Sequence, residues 1–222
     1  MTEAETGNGN GEFALIDRLL KPLAAGTPAA LDLTDDAAVL VPTPGQDLVL
    51  AKDAMVAGVH FLENDPAEAV ARKLLRVNLS DLAAMGATPV GYLLATFWPE
   101  KLPRDWIEGF VSGLQMDQEE FGIGLLGGDT VRTPGPLSLS LTAIGEVAAG
   151  KALRRNGAGE GDLIVVSGTL GDGALGLLAL KGELGTLKEE ARQALVRRYH
   201  LPQPRLALGR LLTGRATACI DI

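Results

Sequence analysis

The sequence predicts a mixed fold of the α+β and α/β classes: an N-terminal mixed sheet with helices on one face, followed by a partial α/β C-terminal domain. Segments with apolar residues at helical spacing interleave with segments in which apolar and polar residues alternate, the clearest being residues 137–147. Two adjacent strand patterns early in the chain favour a sheet whose helices gather on one side. The glycine-rich, basic stretch at 147–161 is typical of a linker and divides the two parts.

Each element is predicted from its own pattern and from the turn residues that flank it. Helices are expected at 11–25, 66–85, 103–121, 172–180, 189–199 and 204–212, and strands at 37–41, 48–52, 90–97, 123–126, 137–147, 163–167 and 218–222. The first two strands should form a hairpin, because the segment 42–45 between them contains two prolines and a glycine. Asp65 is the expected N-cap of the second helix, and Gly86 is its expected end.

Composition excludes several classes of protein. The chain has 222 residues, of which 46% are hydrophobic and 22% charged, as is ordinary for a globular protein. The net charge of −8 argues against nonspecific nucleic-acid binding, and the single Cys219 excludes an internal disulfide framework and a cysteine-rich zinc site. No apolar run is long enough to span a bilayer, and residues 1–11 lack the regions of a signal peptide. We therefore expect a cytoplasmic protein with a disordered lead-in at 1–11.

Five aspartates stand beside or inside apolar runs, where an unpaired carboxylate is costly. They are Asp36, Asp53, Asp81, Asp129 and Asp221. Few basic residues accompany them, so a shared group of hard cations is the simpler way to neutralise their charge. Magnesium takes carboxylate oxygens as ligands and brings phosphates with it. The pattern therefore indicates magnesium-dependent phosphate chemistry.

Most of these aspartates also have an ordinary structural explanation. Turn chemistry would explain Asp36, a surface pair with Lys52 would explain Asp53, and a simple glycine turn would explain Asp129. Asp81 is harder to explain in this way, because aspartate is a poor residue for the middle of a helix. The glycines before Asp129 would equally let the backbone approach a phosphate. The alternatives stay open for each residue, and the common placement at strand ends and inside a helix favours a shared site.

Residues 171–176 contain a formal G-x-G-x-x-G string after a predicted strand and at the start of a predicted helix. This is the fingerprint of a dinucleotide site. No further strand follows within one βαβ unit, so tight helix packing through small residues is the favoured explanation. In the preceding glycine-rich loop, Lys151, Arg154 and Arg155 are either solvated charges or include an arginine that clamps a nucleotide phosphate.

The two histidines differ in what surrounds them along the chain. His60 follows Asp53 closely, and its side chain is a candidate to reach whatever the metals hold, although an ordinary loop histidine would look the same. His200 ends a charged helix and is expected at the surface. Only His60 is therefore a candidate for the site.

Several strings occur here in the order in which one family carries them. They are GEF-x-LI, DDAAVL, D-x-M-V-A-G-V-H-F, VNLSDLAAMGA-x-P, GGDT, RRNGA-x-x-GD and VSGTLGD-x-ALGL. Through them the chain resembles the thiamine-phosphate kinases of the aminoimidazole-ribotide-synthetase-like superfamily, from residue 11 to residue 222. The strings VNLSDLAAMGA and GVHF are specific to that family, whereas DD and GGD would fit the whole superfamily.

The resemblance implies an enzyme that transfers a phosphoryl group from ATP to thiamine phosphate, with several Mg²⁺ ions as cofactors, and a homodimer formed through the N-terminal sheet. The metal ligands that it implies are Asp36, Asp53, Asp81, Asp129 and Asp221. The ATP contacts that it implies are Gly128, Asp129 and Arg155, to which we add Lys52, and His60 is the implied contact to thiamine phosphate. Residues 12–148 would form the ATP- and magnesium-binding and dimerisation domain, and residues 149–222 an incomplete C-terminal domain.

Two departures from the family pattern bear on this interpretation. Ala51 and Lys52 stand where many members carry small hydroxyl residues, so Lys52 is a candidate to replace part of the metal charge. The sequence also stops at Ile222, within a family string that begins at Asp221, so we expect little or no turnover from this chain alone. The rival interpretations are another ATP-dependent phosphate-activating enzyme of the superfamily, a nicotinamide-dependent oxidoreductase that uses residues 171–176, and a non-catalytic fragment.

Overall fold

The computed structural model describes residues 16–222 and contains a four-stranded mixed sheet and helices, as the sequence predicted. The strands are β1 (Gln46–Val56), β2 (Thr88–Pro99), β3 (Gly124–Thr133) and β4 (Ser138–Ala148). The helices are α1 (Lys21–Ala24), α2 (Ala67–Ala84), α3 (Arg104–Phe121), α4 (Asp172–Leu180), α5 (Glu189–His200) and α6 (Leu206–Leu212), with a π-helical turn at Ile16–Leu20 and a 3₁₀ segment at Pro28–Leu33. The predicted lead-in at 1–11 and the start of the first predicted helix lie outside the described residues.

The sheet has the order β1-β4-β2-β3, in which β2 and β3 run parallel and the other two pairs antiparallel. Strand β4 alternates as predicted, with Leu139, Leu141 and Ala143 buried on one face. Helices α2 and α3 pack together on this face, and α2 contacts both β1 and β4. The opposite face is open in the described part of the chain, where Leu50 is 65% exposed and Phe97 38%.

Helix α2 carries the core of the N-terminal layer, by which we mean the sheet with α2 and α3. It ends at Ala84, and Gly86 follows with a φ of +74°, which suits glycine. The predicted N-cap at Asp65 is wrong. Pro66 occupies the cap position without a side-chain bond, and the Asp65 carboxylate is engaged elsewhere. It accepts hydrogen bonds from the Leu62 N–H and from the hydroxyl of Tyr199, at 2.9 Å and 3.2 Å.

The predicted strand at 37–41 and its hairpin with β1 are also wrong. Strand β1 pairs with β4 instead, from Gln46 opposite Ala148 to Val56 opposite Ser138. The backbone N–H of Val39 donates to the carbonyl of Ala29, so it is not available to a neighbouring strand. The segment therefore runs as an irregular crossing, with the side chain of Val39 61% exposed.

In the C-terminal part, the strands predicted at 163–167 and 218–222 are not formed. Leu163 and Ile164 are 91% and 97% exposed, and no strand within residues 16–222 pairs with them. A strand needs such a partner for its backbone hydrogen bonds. In the N-terminal layer, by contrast, the strand predicted at 123–126 continues to Thr133, which places Asp129 inside β3.

The helices of the C-terminal part pack closely through glycines. A Cβ at Gly176 would overlap the carbonyl of Leu195 where α4 packs on α5, so packing explains this glycine. A Cβ at Gly171 or Gly173 would meet open space, so packing does not explain the other two glycines of the 171–176 string. A Cβ at Gly209 would overlap the carbonyl of Ala83, which docks α6 on α2. Leu206 joins the core of the N-terminal layer, and the boundary at 148/149 remains a prediction. Within residues 16–222, the helices are all too short or too polar to cross a membrane.

Candidate functional site

Asn78 fixes the position of Asp53 on the helix-covered side of the sheet. The Asp53 N–H donates to the Asn78 Oδ1 at 3.1 Å, and the Asn78 Nδ2 donates to the Leu74 carbonyl at 2.9 Å. Asn78 is fully buried, so both of its polar ends need these partners. Asp53 stands opposite Leu141, whose side chain lies in the core beneath α2. The amide thus holds β1 against α2 at the residue that carries the carboxylate.

Asp81 lies one turn further along α2 and faces the same region. The pKa of Asp81 is raised to about 6, first by burial and then by the charges of Asp221 and Asp53, in that order. The Arg155 guanidinium acts in the opposite direction, and a hydrogen bond with the Asp221 side chain favours the protonated form of Asp81. Three of the five predicted aspartates therefore lie close enough to influence one another, together with the predicted arginine.

The Arg155 and Asp221 side chains bring the C-terminal part to this region. The Arg155 Nη2 lies 3.6 Å from the Asp221 Oδ1, in an ion pair whose arginine is 72% exposed and whose aspartate is 33% exposed. The Cys219 N–H donates to the Arg154 carbonyl at 3.1 Å, which ties the two segments together beside the pair. Exposed ion pairs of this kind are weak, so this pair contributes little to stability.

The cluster of Asp53, Asp81 and Asp221 can be tested for its fit to a cation. No group of three or more histidine, cysteine, aspartate or glutamate side chains in residues 16–222 is arranged to hold a metal ion. The chemistry of the carboxylates nevertheless fits one, because the pKa of Asp81 is raised by burial and by repulsion from Asp221 and Asp53, and a positive ion would offset both. Carboxylate oxygens are the ligands that magnesium prefers, and phosphate oxygens complete its shell.

Asp129 and Gly128 are placed differently by the sheet. Asp129 is exposed and its Oδ1 accepts the Thr130 N–H at 2.9 Å. In the register of the sheet, Asp53 lies opposite Leu141, Leu141 opposite Leu94, and Leu94 opposite Gly128, so Asp53 and Gly128 share a face. Adjacent residues of a strand point to opposite faces. Asp129 therefore points away from the face of Asp53, and its role as a ligand rests on the resemblance. A Cβ at Gly128 would overlap the Leu94 carbonyl, so strand packing alone accounts for that glycine.

The remaining predicted residues lie outside the carboxylate cluster. Asp36 is exposed in the irregular segment before β1. Lys52 extends over the open face of the sheet, where its Nζ donates to the Ser140 Oγ at 2.9 Å and to the Thr142 Oγ1 at 3.4 Å. It therefore points away from the Asp53 side chain, and it is not placed to replace metal charge there.

His60 lies in a tight loop that follows β1. The Nδ1 of its ring accepts a hydrogen bond from the Val56 backbone N–H at 3.1 Å, and the backbone N–H of His60 donates to the Val56 carbonyl at 2.9 Å. The side chain is exposed, so its other ring nitrogen can meet a ligand. A contact of His60 with substrate remains a prediction.

Sequence reasoning did not identify two groups that position these elements. Arg76 and Asp117 form a buried ion pair between α2 and α3, with the Arg76 Nε 2.6 Å from the Asp117 Oδ2. His200, expected at the surface, is only 15% exposed and its Nε2 lies 3.0 Å from the Asp65 Oδ1. The arginine inside the apolar stripe of α2 was the available signal for the first pair, since a buried arginine needs a carboxylate.

Comparison with known proteins gives a consistent result. Residues 34–147 match the family model for AIR synthase related protein, N-terminal domain. The thiamine-monophosphate kinase of Caulobacter vibrioides is 53% identical over 211 residues, which is 95% of this chain and 59% of that protein. The crystal structure of the thiamine-monophosphate kinase of Stenotrophomonas maltophilia superposes with a TM-score of 0.80 at 46% identity, covering 94% of this chain and 66% of that one.

A further solved structure, AaThiL complexed with AMPPCP and TMP, is 31% identical with a TM-score of 0.74, and covers 98% of this chain and 67% of that chain. The chain thus spans about three fifths of the Caulobacter relative and two thirds of the solved structures. The family model covers the sheet, α2 and α3, which hold Asp53 and Asp81. The chain belongs to the AIR synthase related protein family, with the thiamine-monophosphate kinases among its relatives.

Proposed function

We propose that this chain carries the ATP-dependent phosphorylation of thiamine phosphate to thiamine diphosphate. The observation that carries the proposal is the cluster of Asp53, Asp81 and Asp221 with Arg155, in a chain that is 53% identical to a thiamine-monophosphate kinase. The AaThiL structure contains AMPPCP, an ATP analogue, and TMP, which we take as thiamine monophosphate. Because the chain spans only part of these relatives, the activity of the whole protein is part of the proposal.

The reaction suits a site with carboxylates and one arginine. The γ-phosphoryl group of ATP passes to a phosphate oxygen of thiamine phosphate, and ADP leaves. The acceptor oxygen is already ionised at neutral pH, so the site needs no strong general base. Its task is to hold two anionic phosphates together, and phosphoryl transfer depends mainly on positioning and charge neutralisation.

The chain's own residues would divide this task. Asp53, Asp81 and Asp221 would hold Mg²⁺, which when bound neutralises phosphate oxygens. Asn78 keeps Asp53 in place through its backbone N–H. Arg155 would leave Asp221 to bind a phosphate oxygen of ATP, since a guanidinium binds phosphate in two places at once.

The further ligand assignments belong to the proposal and rest on the resemblance. They are Asp36 and Asp129 for metal, Gly128 and Lys52 for ATP, and His60 for thiamine phosphate. The side chains of Lys52 and Asp129 project from the open face of the sheet. We therefore propose that they bind ATP or metal only if that face also borders the nucleotide. A cytoplasmic location is part of the same proposal, because the reaction consumes ATP.

We also propose that the chain forms a homodimer through the open face of the sheet. Four large apolar side chains are exposed there. They are Leu48, Leu50, Leu93 and Phe97. A second copy would cover them and would protect the β1 edge. Light scattering should give a dimer that Leu50→Glu converts to monomer, and a monomeric unsubstituted chain at micromolar concentration would contradict this.

Titration calorimetry with Mg-AMPPCP tests the nucleotide site. Asp81→Asn should weaken binding by about tenfold or more, because a neutral amide is a poor magnesium ligand. Asp105→Asn, at the exposed start of α3, is the matched control and should leave the affinity unchanged. Equal affinity for both variants would overturn the metal assignment, and binding of NAD in place of Mg-AMPPCP would favour the oxidoreductase. Formation of thiamine diphosphate from ATP and thiamine phosphate tests the reaction in the whole protein, since little or no turnover is expected from these 222 residues alone.

A further inference from the structure

A second polar cluster lies away from the carboxylates, where α5 meets the start of α2. We call Asp65, Lys73, Tyr199 and His200 the α5 seam. Asp65 is 6% exposed and lies at its centre. Its Oδ1 is 3.0 Å from the His200 Nε2, and its Oδ2 accepts hydrogen bonds from the Tyr199 hydroxyl and from the Leu62 N–H. The carboxylate therefore joins the C-terminal part to the loop between β1 and α2.

Lys73 extends this cluster toward the loop that carries His60. Its ammonium lies 3.6 Å from the centre of the Tyr199 ring, as a cation–π contact, and donates to the His60 carbonyl at 3.0 Å. Burial lowers the pKa of Lys73 to about 8, while the Asp65 charge acts in the opposite direction. A partly buried lysine of this kind has few ways to satisfy its charge, which makes its two contacts specific.

The loop itself is held together by its own backbone. The Gly58 N–H donates to the Phe61 carbonyl at 2.8 Å, and the His60 N–H donates to the Val56 carbonyl. These bonds set the shape of the loop, and its ends are anchored by the Ala57 N–H, which donates to the Leu137 carbonyl, and by the Phe61 side chain, which is buried in the core. Among the described contacts, Lys73 supplies the side-chain bond from α2 to the His60 backbone. Lys73 thus adds a bond at the tip of the loop, at the residue that carries the His60 ring.

We propose that Lys73 is a positioning residue, which holds the His60 loop against α2 and makes its position depend on the docking of α5. The inference rests on the proposed function, because His60 is there the contact to thiamine phosphate. Lys73 itself touches the backbone of the loop and acts on a ligand only through it. Loss of Lys73 should therefore free the loop and weaken thiamine phosphate binding, while leaving the nucleotide site intact.

The test compares Lys73→Met with Lys73→Arg and with Lys101→Met, a matched change in the exposed turn before α3. Hydrogen–deuterium exchange of residues 57–62 should rise about tenfold in Lys73→Met, as expected for loss of a hydrogen bond from a charged group. Thiamine phosphate affinity should fall by a similar factor, with Mg-AMPPCP affinity within about twofold of the unsubstituted chain. Lys73→Arg should show smaller changes in loop exchange and in thiamine phosphate affinity than Lys73→Met, and Lys101→Met should show neither change.

The outcomes separate this inference from the proposed function. If the unsubstituted chain does not bind thiamine phosphate, the proposed function fails, but exchange of residues 57–62 still decides the role of Lys73. Exchange in Lys73→Met within twofold of the unsubstituted chain would overturn the positioning role. If that variant does not fold, His200→Gln replaces it, since it loosens α5 from Asp65 without touching Lys73, and the same rise in loop exchange is expected. An unchanged loop in a folded His200→Gln would overturn the dependence on α5.

Discussion

The N-terminal layer and the C-terminal part use similar apolar strings and bury them very differently. Leu79 in α2 is fully buried, and Leu141 in β4 is equally inaccessible, whereas Leu163 and Ile164 are 91% and 97% exposed. Each strand of the N-terminal layer has a neighbour in the order β1-β4-β2-β3, while residues 163–166 pair with no strand among the described residues. A β-branched and aliphatic segment therefore forms a strand only where a neighbour supplies hydrogen bonds and a covering layer.

The same substitution in the two regions gives the sharpest test of this comparison. Leu79→Ala should lower the free energy of unfolding by about 3–4 kcal/mol, because it leaves a cavity in a closed core. Leu163→Ala should change it by no more than about 0.5 kcal/mol, since the side chain already lies in water. Urea unfolding followed by circular dichroism measures both. Similar losses for the two variants would mean that Leu163 is buried in solution, for example by a partner.

Gly209→Ala tests how the two regions are joined. A methyl group at this position overlaps the Ala83 carbonyl, so α6 must move away from α2, at a cost of about 2 kcal/mol. Gly185→Ala, where a Cβ meets open space, is the control. We expect faster hydrogen exchange in Leu206–Leu212 with unchanged exchange in β4. If exchange also rises in β4, the two parts unfold as one unit and the contrast between them is weaker than the burial indicates.

Much of the N-terminal layer was predictable from the sequence because its patterns are local. The alternation of β4 and the apolar stripe of α2 identified both elements within a residue or two of their ends. The pattern at 37–41 failed because nothing local distinguishes a paired strand from an irregular apolar segment. The strings at 163–167 and 218–222 failed for the same reason, since their burial depends on neighbours that the pattern does not specify.

The site was predictable to a similar extent. Asp81 stood out because a charge inside an apolar helix needs a reason. Asp53 and Asp221 were identified because they lie beside or inside apolar runs, but the same argument also selected Asp36 and Asp129, which lie outside the cluster. Asn78 and Lys73 did not stand out, because an asparagine or a lysine in a helix has many ordinary explanations. Their roles depend on partners far away in sequence, such as the Asp53 backbone and the Tyr199 ring. Local periodicity carries no information about such pairs.

Asp81→Asn tests whether the ionised Asp81 carboxylate destabilises the site that joins the two regions when no cation is bound. The folded pKa of Asp81 is about 6, above its ordinary value of 3.8. Stability from this group is therefore present below about pH 4 and is lost as the pH rises through 6. The variant removes that loss of stability. At pH 7.5 without Mg²⁺ its melting temperature should therefore be about 2–4 °C higher, which corresponds to about 1 kcal/mol in the free energy of unfolding after allowance for solvent screening.

The pH dependence provides the control for Asp81→Asn. At about pH 3 the carboxyl is mostly protonated in both states, because both pKa values lie above 3, so the two proteins should melt together. Addition of Mg²⁺ at pH 7.5 should stabilise the unsubstituted chain and not the variant. A variant that is less stable at pH 7.5 without Mg²⁺ would mean that the ionised Asp81 makes favourable contacts and that the carboxylates do not repel one another.

Arg155→Gln gives the smallest expected effect and locates the contact between the two regions most directly. The arginine is 72% exposed, so its ion pair with Asp221 should contribute no more than about 0.5 kcal/mol to stability. Its positive charge nevertheless lowers the pKa of Asp81, so the substitution should raise that pKa above its present value of about 6. Carbon-detected NMR titration of the Asp81 carboxyl measures the change, with Arg154→Gln as the neighbouring control. An Asp81 titration that is the same in Arg155→Gln as in the unsubstituted chain would show that the C-terminal part does not hold Arg155 beside the carboxylates in solution, and the site would then belong to the N-terminal layer alone.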